Sequence, residues 1–233
     1  EALGSPDKPA VAALAARHHV EPAVLSAWLE CLGIGTGEAR IDSPITGKME
    51  SAQSYDFIKG WTGADALSVL ANSSDQHVRV PGNMKPHGVA VHPAPTRRVV
   101  VGWRSPVAAT LRVDGLLQHA HPECGNGVTW AVELRRGSSR QRLASGTAQG
   151  AKEVRFGPFE GLAVLPGDVL SVLVGPRDGN HSCDLTAVDF NLSDGTRTWS
   201  LAKDVSGNIL AGNPHADGLG NLGVWNFYSE PDN

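Results

Sequence analysis

Apolar and polar residues alternate with a period of two through most of the chain beyond residue 55, and repeat at helical spacing only near its start. The stretch from Gly161 to Leu192 carries the clearest pattern. Pro166-Gly167-Asp168 is a turn signal, because Pro presets φ and Gly accepts positive φ. Val169 to Val174 is a near-continuous apolar run with β-branched residues, as a strand buried on both faces would be. Gly175 to Asn180 is a polar loop. Thr186, Val188, Phe190 and Leu192 then alternate with Leu185, Ala187, Asp189 and Asn191, the period of a half-buried strand.

The rest of the chain extends this reading. Ala10 to Leu32 is the one helical region, with a break near His18 to Val20 and a new start at Glu21-Pro22. Val24, Leu25, Trp28, Leu29 and Leu32 form its apolar stripe, and Gly33 is a natural C-cap. These short helices either dock on the larger domain or end a helical domain that precedes it. Ile34 to Met49 reads as linker. Strands are expected over Tyr55–Trp61, Asp75–Val80, Gly88–His92, Arg98–Trp103, Thr110–Leu117, Gly127–Arg135, Gln141–Gly146, Glu153–Phe159, Thr198–Leu201 and Val224–Tyr228. The predicted organisation is a helical segment over 1–35, a linker over 36–54, and an antiparallel β-sandwich of jelly-roll type over 55–233. No βαβ alternation appears, which argues against a parallel sheet.

Within the strands, Val128, Trp130, Val132 and Leu134 take the core face, and Thr129, Ala131, Glu133 and Arg135 the other. Leu111, Val113 and Leu117 point in, while Arg112, Asp114 and Gln118 point out. Such an outward face is expected to be an ordinary solvated one. A sugar-binding face would want an exposed aromatic platform, yet the period puts Trp130 and Trp103 inside.

Composition narrows the function classes. The chain has 233 residues, 27 Gly and 15 Pro, which suits many turns, and a net charge of only −4. No broad basic field is present to hold nucleic acid. No run of about 18 apolar residues appears, so no membrane span is expected. The sequence starts at Glu1 without Met, and its simplest reading is a piece of a larger protein or one matured after export. Cys31 falls in the apolar helical pattern as a small hydrophobe. Cys124 and Cys183 both lie in loops at strand starts, and such loops cluster at one end of a sandwich. A Cys124–Cys183 disulfide is therefore expected, and with it an oxidising compartment, secreted or periplasmic.

Chemistry-bearing residues gather in the same loops. His119, His121 and Cys124 in the run to Cys124, with His181 and Cys183 in the run to Asp184, look like zinc ligands by residue type, but the spacing fits no standard zinc pattern and a disulfide would consume both sulfurs. Asp178, Asn180 and Asp184 offer oxygen ligands for a structural calcium, in a loop too short for an EF-hand; a turn stabilised by Asp and Asn side chains is the favoured reading. No cofactor is otherwise implied. There is no nucleophile elbow, phosphate loop, dinucleotide fingerprint or His-Glu-x-x-His. Glu123 and Asp184 could be imagined as a glycosidase pair, but sequence does not place them at the needed separation.

Five runs carry a family resemblance: Pro86–Pro93, Val101–Pro106, Cys124–Trp130, Pro176–Thr186 and Asn213–Asp217. Together they resemble a jelly-roll domain of large exported planctomycete proteins that also carry cytochrome c-type and uncharacterised domains. More loosely, the region is similar to carbohydrate-binding jelly rolls. The resemblance covers about Tyr55 to Tyr228. It implies an accessory module of an exported parent and supplies no catalytic residue.

The leading sequence reading is a non-catalytic module binding polysaccharide through loops at one end of the sandwich. Asn126, Asp178, Asn180, His181 and Asp184 are the expected contacts, with His215 and Trp225 joining from the C-terminal segment. The alternatives are a structural domain that positions other domains of the parent, and an enzyme such as a polysaccharide hydrolase or lyase.

Overall fold

A computed structural model describes residues 8–31 and 38–232. The N-terminal pattern gives two helices, α1 (Lys8–Arg17) and α2 (Pro22–Cys31), broken over 18–21 as the sequence indicates. Leu32 and Gly33, the expected end and cap of α2, lie outside the described residues. Strands follow as β1 (Gly47–Met49), β2 (Ile58–Thr62), β3 (Ser68–Asn72), β4 (Val78–Arg79), β5 (Asn83–Met84), β6 (Val89–His92), β7 (Arg97–Arg104) and β8 (Ala109–His119). Then come β9 (Val128–Arg136), β10 (Ser139–Ala148), β11 (Val154–Val164), β12 (Val169–Pro176), β13 (Thr186–Ser193), β14 (Thr198–Ser200), helix α3 (Leu201–Val205) and β15 (Trp225–Pro231). Among the described residues no helix is long and apolar enough to cross a membrane.

The strands form two antiparallel sheets. One runs β1-β2-β3-β6-β13-β8-β11, with β14 also on β13; the other runs β10-β9-β12-β7-β15. From β6 to β9 and from β10 to β13, each successive strand changes sheet, so the chain crosses at the ends of the sandwich. The expected antiparallel sandwich is therefore observed. Its register puts specific loops together. Pro176, the end of β12, pairs with Val128, the start of β9. Thr186, the start of β13, pairs with His119, the end of β8. The crossing loops 120–127 and 177–185 thus meet at one end.

The core follows the period-2 reading. Val128, Trp130, Val132, Leu134, Leu170, Val172 and Val174 point inward against Val188, Phe190 and Leu192. Aromatic rings run through it: Trp130 to Phe156 at 6.2 Å, Phe156 to Phe190 at 6.1 Å, and Phe190 to Trp225 at 5.9 Å between centroids. The last two are edge-to-face, and such aromatic pairs add about 0.5–1.5 kcal/mol each beyond the burial of their area.

Three departures from the sequence reading have a common cause, namely coverage of an outer sheet face. Strand β3 was not expected, because all five of its residues are buried and it shows no alternation. Leu70 on its outer face packs with Ile58, Met84, Val78 and Val80 under the β4–β5 hairpin. The strand expected over Asp75–Val80 shrinks to that two-residue hairpin arm. In the presumed linker, Lys48 pairs with Trp61, and residues 39–45 bind the five-stranded sheet: Ala39 N–H donates to Gly167, and Ile45 N–H to Phe227. Ile41 from this strap covers Val100, Ala131, Leu173 and Tyr228. Glu133 and Arg135, expected on a solvated face, are therefore buried at 4% and 2% exposure.

Candidate binding site at the disulfide-linked loop end

Cys124 and Cys183 are bonded, with an S–S distance of 2.02 Å and a sequence separation of 59. The bond ties loop 120–127 to loop 177–185. Around it the loops are fixed by reciprocal contacts. Asn126 Nδ2 donates to the Arg177 carbonyl at 2.8 Å, and Arg177 Nη1 donates to the Asn126 carbonyl at 3.3 Å and to Gln149 Oε1 at 3.1 Å. The Arg177–Asn180 turn has positive φ at both central residues, Asp178 at 56° and Gly179 at 71°. Only Gly, Asn and Asp adopt such a pair readily, so the Asp-Gly dipeptide is what this turn requires. Asn180 N–H closes it onto Arg177 at 3.1 Å, and Asn180 Oδ1 accepts from Ser182 N–H at 3.0 Å. The result is a rigid turn that holds the Asp178 carboxylate out in solvent, with 83% of the side chain exposed.

Behind that turn the outer face of the five-stranded sheet forms an open cleft of about 450 Å³. Arg98, Thr129, Arg142, Ser145, Asp178 and Asp232 supply its polar rim, and Leu173 and Pro176 are part of its apolar lining. Gly175 sits against the rim. A side-chain carbon there would approach Arg98 Cγ to 2.8 Å and both Asp232 Oδ1 and Thr129 Oγ1 to 2.9 Å. The absence of a side chain leaves room for those three groups. Arg98 is held by the Pro231 carbonyl, which accepts from Nε at 3.2 Å and Nη2 at 3.0 Å.

Farther along this sheet face a second, smaller recess of about 290 Å³ is lined by Asp42, Ser43, Arg140, Ser229 and Glu230, among others. Arg140 makes a bidentate pair with Glu230 at 2.8 and 3.0 Å, and Arg135 also donates to Glu230. Burial alone would raise the Glu230 carboxyl, but the two guanidiniums outweigh it and hold the group below the usual carboxylate range. The Arg135 guanidinium lies 5.4 Å over the Tyr228 ring, whose hydroxyl is 2.9 Å from Ser171 Oγ. Open polar surface on this face thus lies both beside the Asp178 turn and around the Arg140–Glu230 pair.

The sequence-derived residues separate into groups. Asp178 lines the cleft, and Asn180 and Asn126 build the loops beside it. His181 stands edge-on to His92 at 5.9 Å between rings, and burial lowers the His92 pKa. Asp184 is fully buried, and neither of its oxygens has a hydrogen-bond partner. Burial pushes its carboxyl up to about 7. His215 and Trp225 lie at the other end of the sandwich, where Trp225 pairs with Trp103. Trp225 is wholly buried and its indole N–H donates to Asp204 at 2.9 Å; the His215 ring nitrogens face the carbonyls of Ala216 and Asn208. Arg98, Arg142, Asp232 and Gly175 were not singled out from sequence. The available signals were the outward phase of Arg98 and a glycine near the end of a strand, which often marks close approach.

Metal-ligating types also meet here. His121, Cys124 and Cys183 bring one ligand atom each to within 4.8 Å of one another, but the two sulfurs are bonded to each other. Of the calcium set Asp178, Asn180 and Asp184, Asn180 Oδ1 is engaged by Ser182 and Asp178 faces the cleft, whereas Asp184 keeps both oxygens unpartnered. Glu123 is occupied by Arg79, which donates to its two oxygens at 2.9 and 2.7 Å and holds it below its usual pKa.

No protein-family model and no curated protein matches this chain. Among solved structures the chain is similar to TmCBM61 in complex with β-1,4-galactotriose, at 18% identity and TM-score 0.35 over 59% of this chain and 86% of that one. It is also similar to CBM51 from Clostridium perfringens GH95 in complex with methyl-galactose, at 10% identity and TM-score 0.27 over 65% and 86%. A third likeness is to the Drosophila melanogaster CENP-C cupin domain, at 13% identity and TM-score 0.21 over 74% and 95%. The sandwich assignment itself rests on the strand register described above.

Proposed function

We propose that this domain is a non-catalytic carbohydrate-binding module, and that the cleft beside the Asp178–Gly179 turn holds the polysaccharide. The observation that carries this reading is an open cleft with planar charged groups around an apolar floor. Arg98, Arg142, Asp178 and Asp232 supply donors and acceptors of the kind sugar hydroxyls pair with, above the buried side chains of Leu173 and Pro176. The rigidity of the 177–180 turn lowers the ordering cost of binding. Asn126 and Asn180 serve as supports of that turn, and His181 stands edge-on to His92. The module acts as an accessory part of an exported parent, in the oxidising compartment that the disulfide suits.

A glycan array followed by titration calorimetry tests this. Loss of Asp178 or Arg142 by substitution with Ala removes a charged hydrogen bond and weakens binding by about tenfold or more. Binding that persists undiminished in both variants would place the glycan elsewhere.

One observation favours a second reading, a domain that docks onto a neighbour. The helical hairpin exposes Leu14, Val20, Val24 and Trp28, with Trp28 at 63% exposure. Exposed apolar residues grouped on one short segment suit a protein contact. Trp28→Ala would leave glycan affinity unchanged if the two roles are separate.

A further inference from the structure

The two recesses on the outer face of the five-stranded sheet share a wall. Arg98 lines both the cleft beside Asp178 and the smaller recess around Arg140 and Glu230. Its guanidinium is fixed in that position, because Nε and Nη2 both donate to the Pro231 carbonyl and Nε lies 3.8 Å from Asp232 Oδ1. Register sets Arg98 opposite Glu230, which lines the smaller recess, and Asp232 lines the cleft. A second link runs along β10. Arg140 lines one recess and Arg142 the other, and residues two apart on a strand share a face. Both reach the buried Glu133, with Arg142 Nη2 at 3.4 Å from Oε1 and Arg140 Nη1 at 3.9 Å from Oε2.

The far wall of the smaller recess is the strap that reads as linker in the sequence. Ser229 N–H donates to the Ser43 carbonyl at 2.9 Å and Pro44 bridges to Tyr228, so the strap is stitched along β15 by its backbone. That placement brings the side chains of Asp42 and Ser43 into the recess with Arg140. Asp42 is 65% exposed, and its ion pair with Arg40 lies on the surface. Each recess also balances its charges. The cleft sets Arg98 and Arg142 against Asp178 and Asp232, and the smaller recess sets Arg98 and Arg140 against Asp42 and Glu230. Such a surface offers many fixed donors and acceptors without a field of one sign, which suits hydroxyl groups better than carboxylates or sulfates.

We propose that the ligand is a neutral glycan chain bound along its length, lying across Arg98 from the Asp178 cleft into the recess of Asp42, Ser43 and Arg140, with Asp42 and Ser43 as the residues that read its second stretch. This inference rests on the carbohydrate-binding role proposed for the cleft. Arg98 serves both stretches, and the strap completes a site that the sheet alone leaves open on one side. Once one stretch of the chain is seated, contact by the next is intramolecular, so affinity grows with chain length until both recesses are filled.

The test is calorimetric titration of the full chain with galacto-, manno- and gluco-oligosaccharides of graded length, and with polygalacturonate as the acidic probe. Affinity for the chain type that binds should rise by about tenfold or more from the disaccharide to the longer oligomers and then level off. Asp42→Ala combined with Ser43→Ala should remove most of that gain and leave the disaccharide within about twofold of the parent. Both side chains lie outside the core and the Ser43 carbonyl that holds Ser229 is unchanged, so the thermal midpoint should stay near that of the parent. Asp178→Ala should weaken every length, and added salt should change affinity by less than about twofold. Equal affinity at all lengths, or a double variant that keeps the full gain, overturns the extended site while the carbohydrate-binding role stands. Preferred binding of polygalacturonate that fades with salt overturns the neutral class. Binding to no glycan at all overturns both this inference and the role on which it rests.

Discussion

Asn126 and Arg177 clasp each other across the loop end, the Asn126 amide donating to the Arg177 carbonyl at 2.8 Å and the Arg177 guanidinium returning to the Asn126 carbonyl at 3.3 Å. The clasp positions the Asp178–Gly179 turn that rims the cleft. Asn126→Ala leaves the Arg177 carbonyl without that donor. A loss of about 1–2 kcal/mol is expected by urea denaturation, with weaker glycan binding as the turn loosens.

The disulfide closes a loop across a sequence separation of 59. Its chain-entropy contribution is about 4 kcal/mol as an upper figure, and ~2–4 kcal/mol is typical. The paired change of Cys124→Ser and Cys183→Ser should lower stability by that amount. Reduction of the parent with a dithiol should reproduce the effect, and a double variant as stable as the parent would show that the loops hold without the bond.

Glu230 answers two guanidiniums, one of them the buried Arg135. Removing one partner of a buried pair costs up to about 3–5 kcal/mol, and the lower end applies here because Arg135 keeps Glu133 at 3.6 Å. Glu230→Ala is expected to be destabilised on that scale in denaturant titrations, far more than Glu160→Ala, whose pair with Arg112 is on the surface.

Asp194 sets an acid limb. Its Oδ1 accepts from the backbone N–H groups of Arg197 at 2.7 Å and Thr196 at 2.9 Å, and from the Thr196 hydroxyl; its Oδ2 accepts from Arg197 Nε. These bonds, led by that from the Arg197 backbone, hold the carboxyl far below the usual carboxylate range. A depressed folded pKa adds stability above the unfolded value of about 3.9, and that stability is lost as pH falls through the folded pKa. Asp194→Asn should flatten the decline of thermal midpoint below about pH 4, with little change near neutrality relative to its own baseline. An unchanged acid limb would mean the turn opens before the carboxyl titrates.

The architecture was legible where one face of a strand stays wet. Thr186 to Leu192 alternates in sequence and in burial alike, and the loop positions of Cys124 and Cys183 were enough to foresee their bond. What escaped was long-range coverage. Ser68–Asn72 shows no period because a distant hairpin covers its second face, and Arg135 is buried because Ile41 and Tyr228 lie over the same sheet. Trp225 and His215 carried suitable chemistry, but register sends them to the opposite end of the sandwich from Asp178. The cleft joins Arg98, Arg142 and Asp232 from separate strands and the C-terminal segment, a grouping that only the sheet order creates.

The central claim is that the cleft beside Asp178 binds glycan, and affinity electrophoresis through gels cast with soluble polysaccharides tests it most directly. The parent chain should be retarded by at least one polysaccharide. Asp178→Ala and Arg142→Ala should migrate nearly as in plain gel, while Lys203→Ala, in the separate cleft on the other sheet, should be retarded like the parent. Equal retardation of all four proteins, or retardation lost only with Lys203, would contradict the account.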